Sequence, residues 1–192
     1  MLPFLCYNNF MKQPADPFTE KVYKLLTEQK ITSVIDLGAG IGNNTLFFAK
    51  HNLNVLAVDR SEQFLEKLNK RAQNLNLSDR IVTEQSDIRT FTFKNQPDCI
   101  FITYVLHFMT TDEAKAVVQK CLTALAPGGF LAIGCILQEK TITQSDLEEL
   151  VKDCKIVLDQ FKLVHDDPHP GCPMPHEHEV AYIIAQKLAN TL

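Results

Sequence analysis

Three alternate glycines follow an apolar run in the segment Val34-Ile35-Asp36-Leu37-Gly38-Ala39-Gly40-Ile41-Gly42. The apolar run predicts a β-strand, and the residues after it predict the start of a helix near Gly42. Glycine has no Cβ atom, so the backbone of this turn can approach a bound ligand closely. The segment therefore predicts a ligand site at the carboxyl end of a first strand.

The spacing of these glycines differs from the dinucleotide pattern G-x-G-x-x-G. The third glycine of that pattern would fall at residue 43, which is Asn43. Asp36, two residues before the first glycine, would repel a pyrophosphate and attract a ligand with an ammonium group and a sulfonium. The turn therefore favours a cationic nucleoside over a dinucleotide.

Two more acidic residues stand where predicted strands end. Asp59 ends the apolar run 55–58 and can accept hydrogen bonds from both hydroxyls of a ribose. Ser86-Asp87-Ile88 follows a third predicted strand, where Asp87 can accept a hydrogen bond from an adenine amino group and Ile88 can pack against the ring. Because parallel sheets bind ligands outside the carboxyl ends of their strands, we expect Asp36, Asp59 and Asp87 to line one site.

The whole chain alternates short Val- and Ile-rich runs with amphipathic stretches, a pattern typical of an α/β fold. Asp16-Pro17 predicts the start of the first helix. The loop between the last two strands is too short for a crossover helix, so these strands should form an antiparallel hairpin. No linker or repeat interrupts the chain, so we expect a single domain over 1–192. The predicted strands are 33–37, 54–58, 81–85, 98–103, 130–136, 156–164 and 179–186.

The composition is that of a globular protein, with 45% hydrophobic residues and a net charge of -4. This charge gives no positive field for nucleic acid or anionic lipid, and no apolar run approaches the roughly 20 residues that span a bilayer. We expect a small-molecule partner, no nucleic acid and no membrane, and either a monomer or a homodimer. The lack of a basic leader favours a cytoplasmic location. Six cysteines without a C-x-x-C pair argue against a disulfide or zinc scaffold.

Four motifs together resemble those of class I S-adenosylmethionine-dependent methyltransferases: D-L-G-A-G-I-G at 36–42, the strand-ending Asp59, S-D-I at 86–88 and L-A-P-G-G-F at 125–130. The resemblance covers nearly the whole chain. It implies a Rossmann-like, doubly wound seven-stranded sheet in the order 3-2-1-4-5-7-6 with the last strand antiparallel. It also implies that S-adenosylmethionine is the methyl donor and leaves as S-adenosylhomocysteine. The residues expected to hold the donor are Asp36, Gly38, Ala39, Gly40, Gly42, Asn43, Asp59, Arg60, Ser86, Asp87, Ile88, Thr103 and Tyr104.

The segment 165–180 reads H-D-D-P-H-P-G-C-P-M-P-H-E-H-E-V and resembles the tellurite-resistance branch of these methyltransferases. This resemblance implies a small methyl acceptor, which could be a thiol, an oxyanion or a metalloid such as tellurite. Tyr104 and His107 follow the predicted central strand and are candidate catalytic residues. His107 could accept a proton from the nucleophile or could be packed among its apolar neighbours. Tyr104 could shape the pocket or donate a hydrogen bond.

The hairpin loop 165–178 is rich in histidine and proline. If the last two strands pair residues whose numbers add up to about 343, His165 lies opposite His178 in the hairpin. Three interpretations remain open: an exposed turn stiffened by prolines, a site for substrate binding or proton transfer, and a metal site that includes Cys172. His176 and His178 are the catalytic candidates of this loop, and no metal is assigned.

Residues 1–30 contain several aromatic side chains and predict an N-terminal helical cap or lid over the donor, although an ordinary packing helix would fit the same pattern. Two other functions remain open for the chain. One is a nicotinamide-dependent oxidoreductase, which Asn43 opposes. The other is a noncatalytic module that binds a cofactor or a metal.

Overall fold

The computed structural model describes residues 16–137, 141–166, 174 and 176–189. Within these residues, strands and helices alternate along the chain, as the sequence predicts. The strands are β1 (Ser33–Leu37), β2 (Asn54–Asp59), β3 (Ile81–Gln85), β4 (Cys99–Thr103), β5 (Phe130–Ile136), β6 (Lys155–Asp166) and β7 (His176–Gln186). The helices are α1 (Pro17–Glu28), α2 (Asn43–Lys50), α3 (Glu62–Asn74), α4 (Thr111–Ala124) and α5 (Gln144–Val151).

The strands form one seven-stranded sheet in the order β3-β2-β1-β4-β5-β7-β6. β1 pairs in parallel with β2 on one side and with β4 on the other, so the strand order reverses beside β1. β7 is antiparallel to both β5 and β6. This topology confirms the predicted order and places the carboxyl ends of β1, β2 and β4 side by side, where such sheets bind ligands.

Two apolar layers cover the sheet. Buried side chains of α1, α2 and α3 pack on one face, and those of α4 and α5 pack on the other. β4 lies at the centre and is buried along its whole length, which explains why its sequence is continuously apolar. The strand ends are therefore held by a rigid core on both sides.

Local capping explains where the helices begin. Asp16 accepts a hydrogen bond from the backbone N–H of Phe18 (2.7 Å), and Pro17 stands at the first helical position of α1. Ser61 caps α3 in the same way, and Thr110 forms a reciprocal capping box with Glu113 at the start of α4. Each of these starts follows the residue type that the sequence predicts.

The β6–β7 hairpin is longer than predicted, and its register differs. Val164 pairs with His178 and His165 pairs with Glu177, so the prediction that His165 faces His178 is wrong. The sum of paired residue numbers also changes along the hairpin, because an irregularity lies between Ile156 and Leu158. A single sum of paired residue numbers therefore cannot describe the whole register. An error of one residue in the register would place every side chain of the strand on the opposite face of the sheet.

Some predictions fall outside the described residues. These include the N-terminal part of the lid (1–15) and the residues of the hairpin loop at 167–173 and 175. Among the helices that the structure does describe, none has the length and apolar character needed to span a membrane.

Candidate active site

The glycine turn between β1 and α2 needs glycine for both conformation and space. Gly38 and Gly42 have φ angles of +80° and +83°, in the left-handed region that side chains disfavour. A Cβ atom on Gly38 would lie 2.9 Å from Val105 Cβ, and one on Gly42 would lie 2.1 Å from Leu68 Cδ1. The turn is thus fitted tightly between the exit of β4 and helix α3.

Asp59 at the end of β2 holds this turn from the other side. Its Oδ2 accepts a hydrogen bond from the backbone N–H of Gly40 and its Oδ1 accepts one from the N–H of Ser61, both at 2.8 Å. The backbone N–H groups of Gly38 and Ala39 donate to the carbonyl of Val58. A carboxylate has about four acceptor positions, so Asp59 keeps capacity for further donors such as ribose hydroxyls.

Asp36 lies beneath the turn and is only 2% exposed. Its Oδ2 accepts a hydrogen bond from the Thr45 hydroxyl at 2.5 Å. Burial raises the pKa of Asp36 to about 7, against the lowering effect of Thr45, and the charge of nearby Asp59 raises it further. The two acids therefore form a buried pair that a cationic ligand would stabilise.

Arg71 of α3 fixes the far side of the turn. Its Nη1 donates to the carbonyl oxygen of Ile41 (2.7 Å) and to Oδ1 of Asn43 (2.8 Å). The side chain of Asn43, predicted to hold the donor, thus bonds to the protein's own arginine. No sequence pattern indicates this role of Arg71, which lies in α3 among other polar residues.

Asp87 follows β3 and is held by Arg89, which the sequence analysis also missed. The Arg89 guanidinium bonds to both carboxylate oxygens of Asp87, at distances from 2.5 to 3.1 Å, and its Nη1 bonds to Glu113 at 2.7 Å. These bonds, with Arg89 as the main cause, lower the pKa of Asp87 to about 2. Asp87 is therefore an ionised acceptor with a fixed orientation.

The remaining residues predicted to hold the donor beside β2 and β3 differ in burial. Ile88 is buried in the core, and Arg60 is exposed, although its charge contributes to the low pKa of Asp87. The backbone N–H of Ser86 donates to the carbonyl of Asp59 at 3.0 Å. These contacts connect the ends of β2 and β3.

Thr103 at the end of β4 connects to helix α1 through one amide. Asn44 Nδ2 donates to Thr103 Oγ1 (3.0 Å), and the hydroxyl of Thr19 donates to Asn44 Oδ1 (2.9 Å). Thr19 is fully buried, and Phe18 of the same helix packs in the core. The described part of the predicted lid is thus a firmly packed helix.

Tyr104 forms a cluster with two residues that the sequence analysis did not assign to the site. Its hydroxyl donates to Oδ2 of Asp16 at 2.5 Å and lies 2.6 Å from the hydroxyl of Tyr182, which in turn lies 3.1 Å from the same Asp16 oxygen. Burial, with a contribution from the Asp16 charge, raises the pKa of both tyrosines, that of Tyr182 to about 12. The sequence pattern predicts Asp16 only as the cap of a helix and Tyr182 only as a residue of the last strand.

The structure brings together His107 and His178, which are two of the four residues predicted to be catalytic. Nδ1 of His107 is buried and has no hydrogen-bond partner among the described residues. Burial, and then the charge of His178, lower the pKa of His107 to about 4. The imidazole of His107 is therefore neutral near pH 7, and its buried Nδ1 lacks a partner among the described residues.

The other histidines of the hairpin behave differently. His165 is exposed, and its Nδ1 lies 2.8 Å from Oε1 of Glu177, away from His107. His176 begins β7 opposite Asp166, and its side chain is outside the described residues, as are His169 and Cys172. Within the described ranges, no group of three or more His, Cys, Asp or Glu side chains could hold a metal ion.

Comparison with known proteins gives the family. A family model described as a methyltransferase domain matches residues 34–129, which is half of the chain. The chain belongs to the methyltransferase domain family. The matched residues contain the glycine turn, Asp59, Asp87 and the central strand β4.

The chain is 27% identical over 134 residues to a protein of Desulfotalea psychrophila named carboxy-S-adenosyl-L-methionine synthase, and the match covers 68% of the chain and 52% of that relative. The chain spans about half the length of the curated relatives it matches.

Two solved structures share its fold. TehB from Haemophilus influenzae superposes with a TM-score of 0.77 at 20% identity, over 88% of this chain and 62% of TehB. Magnesium protoporphyrin IX methyltransferase from Synechocystis, crystallised with bound S-adenosylmethionine, gives 0.69 at 15% identity over 88% of this chain and 77% of its own. The predicted methyltransferase family and fold are therefore confirmed.

Proposed function

We propose that this methyltransferase transfers the methyl group of S-adenosylmethionine to a small-molecule acceptor in the cytoplasm and releases S-adenosylhomocysteine. The observation that carries the proposal is the acidic pair Asp36 and Asp59 around a glycine turn, at the carboxyl ends of β1 and β2. Two adjacent carboxylates favour a cation, and S-adenosylmethionine has both a sulfonium and an ammonium group.

Each acid has a separate role toward the donor. Asp59 accepts hydrogen bonds from the ribose hydroxyls with the oxygen capacity that Gly40 and Ser61 leave. Asp36 supplies negative charge beneath the turn. Asp87, kept ionised and oriented by Arg89, accepts a hydrogen bond from the adenine amino group.

The transfer itself is an in-line displacement. A lone pair of the acceptor forms a bond to the methyl carbon, while the electron pair of the breaking carbon–sulfur bond stays on sulfur and neutralises the sulfonium. Because the sulfonium is already activated, the protein's main task is to align the two molecules and exclude water. Neutral His107, whose Nδ1 has no partner among the described residues, receives the proton that the acceptor loses, and His178 is near it. His176, two residues before His178 in β7, remains a candidate for the same step.

The acceptors to be compared are thiols, amines, oxyanions and metalloids such as tellurite. Tellurite belongs in the panel because the segment 165–180 resembles the tellurite-resistance branch and TehB shares the fold. Transfer of radiolabelled methyl from the donor to each compound measures the preference.

The curated relatives suggest a second candidate, because they are named carboxy-S-adenosyl-L-methionine synthase. In its favour is a sequence match over 68% of this chain. Mass spectrometry of the products separates the two functions: a synthase of that kind would convert the donor into its carboxy derivative, whereas a methyltransferase yields S-adenosylhomocysteine and a methylated acceptor.

Calorimetric titration tests the proposed donor. We expect S-adenosylmethionine to bind, NAD to give no heat, and Asp59→Ala to weaken the donor's affinity at least tenfold through the lost ribose bonds. Asp79→Ala is the matched control, because Asp79 lies in the turn before β3 and outside the site. Unchanged affinity in Asp59→Ala, or no binding to the original protein, would contradict the proposal.

A further inference from the structure

Asp16, Tyr104 and Tyr182 form a compact polar group, here called the tyrosine cluster, at the side of the site away from the acidic pair. They come from the start of α1, the exit of β4 and the middle of β7. Their hydroxyl and carboxylate oxygens lie between 2.5 and 3.1 Å from one another. Three distant parts of the chain therefore meet at one point.

The hydrogens of this cluster are all used inside it. Each tyrosine hydroxyl has one hydrogen, and an ionised carboxylate has none. Tyr104 donates its hydrogen to Asp16, and among the described residues the acceptors within reach of the Tyr182 hydroxyl are Asp16 and Tyr104. A ligand that reaches the cluster therefore meets lone pairs and must itself supply a hydrogen.

The cluster is also negatively charged. The raised pKa of both tyrosines keeps their hydroxyls protonated near pH 7, so the charge is that of Asp16 alone. Among the described residues, the hydrogen bonds to the Asp16 carboxylate come from the two hydroxyls and from the backbone N–H of Phe18, none of which carries positive charge. In the same part of the structure, Lys162 Nζ lies 5.9 Å from the centre of the Tyr182 ring. An oxyanion brought against Asp16 would lose hydration and be repelled by the carboxylate.

The backbone keeps the cluster rigid at the edge where the donor is expected. Tyr104 has a φ angle of +55°, an unfavourable conformation for a residue with a side chain, and such strain is concentrated at functional sites. Its N–H donates to the carbonyl of Gly134 at 2.7 Å. A Cβ atom on Gly134 would lie 3.0 Å from Thr103 and 3.4 Å from the Tyr182 ring, so the three strands are packed closely here.

We propose that the tyrosine cluster selects an amine as the methyl acceptor, over a thiolate or an oxyanion. The inference rests on the proposed function and narrows its substrate class. An amine can donate one N–H to the cluster while its lone pair attacks the methyl carbon. Its nitrogen becomes positively charged as the new bond forms, and the charge of Asp16 stabilises that change. The N-methylammonium product then releases its proton to solvent.

A matched acceptor series tests the preference. Benzylamine, benzyl mercaptan, benzoate and tellurite are each offered with radiolabelled S-adenosylmethionine, and kcat/KM is measured for each. We expect benzylamine to exceed the other three at least tenfold. Faster methylation of the thiol, benzoate or tellurite would overturn the amine assignment and leave the proposed function intact. Donor binding without methylation of any compound would count against both.

Asp16→Asn tests the cluster directly. An asparagine still caps α1, but it removes the charge and its amide can donate to a tyrosine oxygen, which frees a hydroxyl hydrogen for the ligand. We expect the ratio of kcat/KM for benzylamine to that for benzoate to fall at least tenfold, while donor affinity stays within twofold. Asp159→Asn on exposed β6 is the control.

Tyr182→Phe provides a second variant that keeps the charge of Asp16 and removes one hydroxyl. We expect a higher KM for benzylamine and a smaller loss of selectivity than in Asp16→Asn. Thermal unfolding of each variant shows whether it is folded. An equal loss toward every acceptor, or a change in donor affinity alone, would show that the cluster has a structural or donor-binding role and would overturn the inference.

Discussion

Asp59 in the proposed donor site and Tyr104 in the proposed acceptor site are held by different kinds of contact. Around the glycine turn, carboxylates bond to backbone N–H groups, as Asp59 does with Gly40 and Ser61. On the acceptor side, side chains bond to side chains, as Tyr104 does with Asp16 and Tyr182. The N–H groups that bond to Asp59 are present whatever residues stand at 40 and 61, unless one of them is proline, whereas a contact between two side chains is lost when either one is replaced. The comparison suggests that donor binding is built into the fold and acceptor choice is adjustable.

The largest expected effect is on the donor side, in Gly42→Ala. The new methyl group would overlap Leu68, and the φ angle of +83° disfavours any side chain. Strain and overpacking together should cost about 2 to 5 kcal/mol of unfolding free energy and abolish measurable donor binding. Urea unfolding and titration with S-adenosylmethionine measure the two effects.

Gly128→Ala is the matched control for that variant. Gly128 has a φ angle of +81°, but nothing lies within 4 Å of an added Cβ atom. It should therefore lose only about 1 to 2 kcal/mol, from backbone strain alone. Equal losses in the two variants would show that the contact with Leu68 is unimportant.

The next largest expected effect is a loss of activity in His107→Gln, in the proposed acceptor site. Loss of the proton-accepting nitrogen should lower kcat by about a hundredfold, with donor affinity unchanged. Because burial lowers the pKa of His107 to about 4, its imidazole should stay neutral and active well below pH 6.5. Stopped assays across pH 5 to 8 measure this profile. His165→Gln, at an exposed position paired with Glu177, should keep full activity.

A smaller effect is the dependence of donor binding on pH. The folded pKa of Asp36 is raised to about 7, from an ordinary value near 3.8, so the folded protein holds a proton that the unfolded chain has lost. Stability of the ligand-free protein should therefore fall as the pH rises from about 4 to 7, and donor affinity should rise as Asp36 becomes charged near pH 7. Titrations from pH 6 to 8 should show this rise for the original protein. Asp36→Asn should lose this rise, because it has no carboxyl group to ionise at this position.

The smallest expected effect is in Arg89→Gln. Arg89 holds Asp87 in a partly exposed ion pair, and solvent screening keeps the contribution of such pairs small. Donor affinity should fall by only about two- to fivefold. An effect as large as that of Asp59→Ala would mean that Arg89 itself contacts the donor.

The difference between the two sites also explains what could be read from the sequence. Asp36, Asp59 and Gly42 lie in or beside apolar strands with recognisable turn residues, so local patterns predict both their elements and their place at the sheet edge. Asp16 and Tyr182 are far apart in the chain, and only the completed fold brings them to Tyr104. No periodicity encodes such a meeting.

The β6–β7 hairpin could be predicted only in part. The existence and direction of β6 and β7 follow from their short connection, but their register does not. It depends on an irregularity near Ile156 and on which face of β7 packs against α1. The pairing of Val164 with His178 therefore required the structure.

A crystal structure with S-adenosylmethionine bound is the most direct test of the donor site. We expect the ribose hydroxyls within hydrogen-bond distance of the Asp59 carboxylate and the sulfonium at the carboxyl end of β4, facing Tyr104. A donor molecule lodged elsewhere, or one bound here without contact to Asp59, would contradict the account.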